Sequence, residues 1–227
     1  MSAAFRPRAL LFDFDGVLVE SEEAGNRHLA EWLTASGHPT TPIDAMTHFM
    51  GLSGSGFIDA IERRIGAPLP AGFAAAREAE NERAVREGVG EVEGAVAFVR
   101  ALPDGLPRAI VSSSRTPWIE AHLRHAGLRE AFGKHLYSGQ EHVEHGKPSP
   151  DLYLYAAAQL GVPIADCAII EDSPVGVTGA AKTGAFVIGL CAGRHCAVDH
   201  GERLLELGAD IVAANFAAVA GVLGLDD

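Results

Sequence analysis

Four short polar sequences hold the residues of this chain that could do chemistry, and each follows an apolar run or precedes a helical one. Carboxylates suit a hard divalent cation. Hydroxyls, successive backbone N–H groups and a lysine suit phosphate oxygens. Together these groups predict a site for phosphoryl transfer. The four sequences are Asp13-Phe14-Asp15-Gly16, Ser112-Ser113-Ser114-Arg115, Gly146-Lys147-Pro148 and Glu171-Asp172-Ser173.

Two of these sequences place a pair of acids at the end of an apolar run. Asp13 and Asp15 repel each other at this spacing, and a divalent cation can hold both ionised, while Gly16 permits a sharp turn. Glu171 and Asp172 point in different directions on a strand, so one acid could bind the metal while the other orients it. Taken alone, each pair is also consistent with a turn or an acidic helix cap.

The serines and the lysine are the candidates for contact with phosphate. The serine sequence precedes a helix that is expected to begin near Pro117, and helix N-termini bind phosphate, although serine is also a common plain helix cap. Lys147 lies between a glycine and a proline. Its ammonium group could neutralise a phosphate oxygen or be a solvated loop charge.

Short β-rich apolar runs alternate with helical segments and predict an α/β fold, a doubly wound, Rossmann-like parallel sheet. Their near-continuous hydrophobicity suits strands that are covered on both faces. Ligands bind outside the carboxyl ends of such strands, so the four polar sequences are expected to share one edge. The predicted strands are residues 9–14, 108–112, 135–138, 167–172, 186–190 and 211–213.

About ninety residues separate the first predicted strand from the second, where one crossover helix would be usual. Within this interval, residues 22–36, 55–65 and 73–87 have apolar residues at helical spacing. We therefore predict a core domain of residues 1–18 and 91–227, with a helical cap domain of residues 19–90 inserted into it.

Composition limits the classes of partner. The chain has 227 residues and a net charge of −12, which leaves no basic stripe for nucleic acid. Its longest uncharged stretch, residues 211–225, is shorter than the ~20 apolar residues of a membrane span. We expect a cytoplasmic monomer with no nucleic-acid or membrane partner. Cys191, His195 and Cys196 lack a fourth zinc ligand, so we expect these side chains to pack or face solvent.

The four motifs, in this order, resemble those of the haloacid dehalogenase superfamily, in its branch of cap-bearing phosphatases and β-phosphoglucomutase. The resemblance covers nearly the whole chain. It rests on Asp-x-Asp-Gly, a hydrophobic strand that ends in serine, a lysine before proline, and Glu-Asp-Ser. It implies an Mg²⁺-dependent phosphomonoester hydrolase that acts on a small sugar or organic-acid phosphate through an aspartyl-phosphate intermediate.

The resemblance also implies a role for each motif residue. Asp13 is the nucleophile, and Asp15 protonates the leaving oxygen and then deprotonates water. The implied Mg²⁺ ligands are Asp13, the carbonyl of Asp15 and Asp172, with Glu171 in support. We take Ser112 as the motif serine and Ser113 as the alternative. The implied substrate and phosphate contacts in the core are Phe14, Gly16, Ser112, the backbone of Ser113, Arg115 and Lys147, of which Lys147 also counts as catalytic.

The cap is expected to select the substrate, because the core recognises only the phosphate group. Glu20 is one candidate contact. The others lie in a sequence that looks like the substrate-side loop of cap-bearing sugar phosphatases, or that is simply a turn between cap helices. These residues are Phe49, Met50, Gly51, Leu52 and Ser53.

Other activities fit the chain less well. A β-phosphoglucomutase-like mutase, the main alternative, typically has a histidine and a lysine in its cap. Here no lysine precedes Lys134, and Gly25 or Asn26 occupies the expected histidine position instead of His28. A phosphonoacetaldehyde hydrolase also needs a cap lysine, and a dehalogenase does not need Asp15. A receiver-type signalling module has about 120 residues and no lid, so we consider it less suitable still.

Overall fold

The computed structural model describes residues 5–49 and 54–225. The chain divides into two compact units: a core unit, Met1–Glu20 with Gly90–Asp227, and an inserted unit, Ser21–Val89. The role of the inserted unit as a cap stays a prediction.

A six-stranded sheet forms the centre of the core unit, and each pair of neighbouring strands is parallel. The strand order is β3-β2-β1-β4-β5-β6, with the winding direction reversing between β1 and β4. This order confirms the predicted doubly wound α/β fold. The strands are β1 (Ala9–Phe12), β2 (Arg108–Ser112), β3 (Leu136–Ser138), β4 (Cys167–Glu171), β5 (Phe186–Leu190) and β6 (Ile211–Ala213).

The strands that precede the two acid pairs are shorter than predicted. Strand β1 ends at Phe12 instead of residue 14, and β4 ends at Glu171 instead of residue 172. The Asp13 N–H still donates to the carbonyl of Ile170, after which the chain turns through Gly16 at φ +80°. The carboxylates therefore lie where the two strands end, outside the regular ladder.

The inserted unit contains four described helices, one more than the sequence analysis predicted. They are α1 (Ser21–Ala35), α2 (Pro42–Phe49), α3 (Gly54–Ile65) and α4 (Phe73–Glu87). The unpredicted helix is α2. The sequence signal for this helix is a pair of capping residues, Thr41 and Asp44. The Asp44 carboxylate accepts from the N–H and hydroxyl of Thr41, and the Thr41 hydroxyl accepts from the Asp44 N–H.

The remaining helices belong to the core unit. Tyr153 on α8 is fully buried against the sheet, in one cluster with Leu11 and Ile169. No helix within the described part of the chain is long and apolar enough to cross a membrane. These helices are α5 (Ala95–Ala101), α6 (Thr116–His125), α7 (Arg129–Phe132), α8 (Asp151–Leu160), α9 (Pro174–Ala180), α10 (His200–Glu206) and α11 (Phe216–Leu223).

Gly176 on α9 packs directly against the carboxylate at the end of β4. A Cβ at this position would overlap the Glu171 carboxylate. We expect Gly176→Ala to lower the free energy of unfolding by about 1–3 kcal/mol, because the buried side chain would have to shift. Urea unfolding measures this loss.

Gly25→Ala is the matched control. Gly25 lies on α1 and has no atom within 4 Å of the position of an added Cβ. Alanine favours the helix, so we expect a gain of about 0.5–1 kcal/mol. A Gly176→Ala protein as stable as the parent would contradict the packing described.

Candidate functional site

The Lys147 ammonium lies at the centre of the site. Its Nζ is 2.6 Å from Asp13 Oδ1 and 2.5 Å from Glu171 Oε1, and its side chain is only 3% exposed. Asp13 follows β1 and Glu171 ends β4, so neighbouring strands supply both carboxylates. Lys147 reaches them from the segment between β3 and α8. The sequence alternative of a solvated loop lysine is wrong, because the group is buried between two acids.

Burial and neighbouring charges determine the protonation of this centre. Burial raises the pKa of Asp13 well above its ordinary value, as does the charge of Glu171, while Lys147 opposes both. Burial lowers the pKa of Lys147, but the carboxylates of Asp13 and Glu171 outweigh it and leave that pKa raised. Lys147 therefore stays positively charged at neutral pH.

Three buried carboxylates share this region. Oxygen atoms of Asp13, Glu171 and Asp172 lie within 4.8 Å of one another. Three carboxylates carry more negative charge than Lys147 alone can offset. An all-oxygen donor set with excess negative charge is the chemistry that Mg²⁺ prefers, so the residues present fit this cation.

Both oxygens of the Glu171 carboxylate have hydrogen-bond partners. The Tyr153 hydroxyl donates to Oε1 at 2.7 Å, and the Ser173 N–H and hydroxyl each lie 3.1 Å from Oε2. With Lys147 also on Oε1, Glu171 is fixed in place. This arrangement supports a role in orienting neighbours. Tyr153 was not among the predicted site residues, because its position in the first turn of α8 shows no link to the site in the sequence.

Asp172 contacts two histidines from the segment after β5. His195 Nε2 is 2.8 Å from Asp172 Oδ2, and His200 Nε2 is 2.6 Å from the Asp172 carbonyl oxygen. Gly16 lies against the same carboxylate, where an added Cβ would overlap Oδ2. In the sequence His195 was a candidate only for a zinc ligand, and its place beside Asp172 was not predicted.

Asp15 receives hydrogen bonds from side chains at the end of β2 and just after it. The Ser114 hydroxyl donates to Oδ2 at 2.6 Å, the Ser112 hydroxyl to the same oxygen at 3.4 Å, and Trp118 Nε1 to Oδ1 at 3.1 Å. Ser112 was predicted to bind phosphate. Ser114 and Trp118 are additions, and the only sequence signal for Trp118 was its place in the first turn of a helix that follows three serines.

The other residues predicted to contact substrate or phosphate have varied surroundings in the structure. The Phe14 side chain is fully buried, so only its backbone could meet a ligand. The Ser113 side chain is exposed, and its carbonyl accepts from Gln140. Arg115 caps α6 and donates to Gln140 Oε1 at 3.3 Å, so its phosphate contact stays a prediction. Glu20, which was predicted as a substrate contact of the cap, instead belongs to the core unit, where it is buried and accepts from the Arg194 N–H.

The predicted cap contacts fall in a region that is only partly described. Met50, Gly51, Leu52 and Ser53 lie outside the described residues. Phe49 ends α2 and is buried in the apolar cluster of the inserted unit, so its side chain serves packing instead of the expected substrate contact.

Comparisons with known proteins identify the relatives of the chain. A family model for haloacid dehalogenase-like hydrolases matches residues 7–184. Hexitol phosphatase A of Escherichia coli is 32% identical over 82% of this chain and 84% of its own. The 6-phosphogluconate phosphatase of E. coli is 27% identical over 84% of this chain and 85% of its own. A solved haloacid dehalogenase family hydrolase from Deinococcus radiodurans, with bound phosphate and sodium, superposes with a TM-score of 0.85. It is 35% identical, over 97% of this chain and 98% of its own.

Removing the positive charge of Lys147 should lower the free energy of unfolding by an amount that depends on pH. Lys147→Gln leaves Asp13 and Glu171 buried without their shared partner, and we expect a loss of about 3–5 kcal/mol at about pH 8. Without the Lys147 charge, which lowers the pKa of Asp13, that pKa is raised further in the folded state. The folded variant therefore binds more protons than its unfolded chain, and its stability increases as the pH falls.

Urea unfolding of variant and parent should show a smaller deficit at about pH 5.5 than at about pH 8. Lys134→Gln is the control, since this side chain is exposed and lies outside the site. A deficit that stays constant or grows toward low pH would contradict the electrostatic account.

Proposed function

The chain belongs to the haloacid dehalogenase-like hydrolase family, and we propose that it is a phosphatase that hydrolyses small sugar or organic-acid phosphates with Mg²⁺, through a phosphorylated Asp13. One observation carries the proposal. Asp13 and Asp15 are two residues apart, yet Lys147 contacts the first while Trp118 and the serines donate to the second. Two carboxylates in different environments can take the separate roles of nucleophile and acid or base.

In the first half of the proposed reaction, an Asp13 oxygen attacks the phosphorus of the monoester. A bond forms between this oxygen and phosphorus, and the bond from phosphorus to the leaving oxygen breaks. Asp15 gives a proton to the leaving oxygen, so the product departs as an alcohol. Lys147, next to Asp13, offsets negative charge on the transferred group.

In the second half, Asp15 takes a proton from water, and the water oxygen attacks the phosphorus of the phosphorylated Asp13. Inorganic phosphate leaves and the Asp13 carboxylate is restored. Mg²⁺, held by Asp13, the Asp15 carbonyl and Asp172, would reduce the repulsion between nucleophile and phosphate. Glu171 supports the arrangement by fixing Lys147, and Ser112 and the backbone of Ser113 would hold phosphoryl oxygens.

The relatives and the composition of the inserted unit support the proposed substrate class. The two curated relatives described above are named for hexitol and phosphogluconate substrates, which are small polyhydroxylated phosphomonoesters. The inserted unit contains no lysine, and His28 pairs with Glu80 at 3.4 Å. Hydrolysis therefore fits the chain better than the mutase alternative.

The test of the proposed function is phosphate release from a panel of hexose, hexitol, phosphogluconate and phosphoglycolate esters, with Mg²⁺ and with a chelator. The panel includes β-glucose 1-phosphate, followed for glucose 6-phosphate. We expect metal-dependent release with a preference for one sugar or sugar-acid phosphate. Isomerised sugar phosphate without net release would overturn the proposal.

Substitution of the two acids should separate the half-reactions. Asp13→Asn removes the nucleophile, so we expect neither turnover nor a covalent phosphoenzyme. Asp15→Asn keeps the nucleophile but removes the acid and base, so the intermediate should form more slowly and its hydrolysis should slow by about 10²–10⁴-fold. Acid quenching after incubation with radiolabelled substrate should then leave label on Asp15→Asn and none on Asp13→Asn. Turnover by Asp13→Asn at the parent rate would contradict the mechanism.

Trp118 is proposed to orient Asp15, and its substitution should affect turnover more than binding. Trp118→Phe keeps the aromatic packing but loses the N–H that lies 3.1 Å from Asp15 Oδ1. A hydrogen bond to a charged group contributes about 1.5–3 kcal/mol, so we expect kcat to fall by roughly 10–100-fold with little change in KM. Trp32→Phe, in the inserted unit, is the control. A change confined to KM would contradict the positioning role.

A further inference from the structure

A second group of ligating side chains lies in the segment that joins β5 to α10. Cys191 directly follows β5, Cys196 lies in the loop, and His200 is the first residue of α10. Each offers one ligand atom, and the three atoms lie within 4.8 Å of one another. The cysteines are half-buried and the histidine is buried. Sulfur and imidazole ligands favour a thiophilic cation over Mg²⁺.

We propose that Cys191, Cys196 and His200 form a binding site for Zn²⁺, separate from the oxygen cluster that would hold Mg²⁺. Three protein ligands leave the fourth position of a tetrahedral ion for water or another small ligand. In the sequence, His195 was the histidine grouped with the two cysteines. The structure places His200 with them instead, while His195 Nε2 contacts Asp172 Oδ2 and lies 3.6 Å from Cys196 Sγ.

The hydrogen bond of His200 suits this role. Its Nε2 lies 2.6 Å from the Asp172 carbonyl oxygen, which can only accept, so Nε2 carries the proton. The neutral ring then has its lone pair on Nδ1. Histidines that bind metals commonly donate their other ring N–H to a carbonyl in this way, which fixes the ring and its tautomer.

The two thiols would bind the ion as thiolates. Zn²⁺ binding would displace the protons of both thiols to solvent and leave two thiolates and one neutral imidazole on the ion. No oxidant or reductant takes part.

A bound ion would fix a segment that also supports the phosphatase site. Between the first and last ligands, the Arg194 N–H donates to Glu20 and His195 contacts Asp172. Linking residue 191 to residue 200 restrains both contacts. The proposal does not depend on the phosphatase activity, since binding can be measured directly.

The probe that tests the site is Co²⁺, added to the reduced protein in the presence of excess Mg²⁺. We expect Co²⁺ to give a sulfur-to-cobalt charge-transfer band in the near ultraviolet, and Zn²⁺ to displace it. Cys191→Ser, Cys196→Ser and His200→Gln should each weaken binding by at least about 10-fold. The matched controls are Cys167→Ala, a buried thiol outside the cluster, and His145→Gln, an exposed histidine.

Alkylation of the wild-type protein gives a second measurement that does not require the variants to fold. Zn²⁺ should protect Cys191 and Cys196 from iodoacetamide, as read by peptide mass spectrometry. Several results would overturn the proposal: cobalt binding without the band, a band that survives both cysteine substitutions, displacement of the band by Mg²⁺, or unchanged alkylation with Zn²⁺.

Discussion

The contact of one buried ammonium with two buried carboxylates is the constraint on which the site depends. Lys147 is 3% exposed and touches both Asp13 and Glu171. Charges buried in this way are tolerated only when paired and hydrogen-bonded. Tyr153 and Ser173 complete the pairing by donating to Glu171. The excess negative charge that remains makes the site suitable for a divalent cation and a phosphate group together.

Strand order makes this contact possible. Strand β1 lies between β2 and β4, so three strand ends meet although their residues are far apart in sequence. Asp13 lies at the end of β1 and the serines at the end of β2. Glu171 and Asp172 lie at the end of β4. The segment after β5 then adds His195, whose ring lies against Asp172. The carboxylates and Ser112 are thus held at or just after rigid strand ends.

The sequence allowed prediction of the sheet and of the motif residues, because both leave local signals. Buried parallel strands are continuous apolar runs, and acids placed at their ends stand out. Trp118, Tyr153 and His195 left no such signal, since their roles arise from the pairing of distant segments. Helix α2 was missed for another reason, because its eight residues are few for a periodic pattern and its capping signal at Thr41 and Asp44 was overlooked.

The central claim is that Asp13 becomes phosphorylated during turnover. Borohydride reduces an acyl phosphate to an alcohol, which would convert a phosphorylated Asp13 to homoserine. The most direct measurement is peptide mass spectrometry of the protein, quenched during turnover of its best substrate and treated with borohydride. The account predicts homoserine at position 13 and an unmodified Asp15. An unmodified Asp13 in protein quenched under these conditions, or homoserine at position 15, would contradict it.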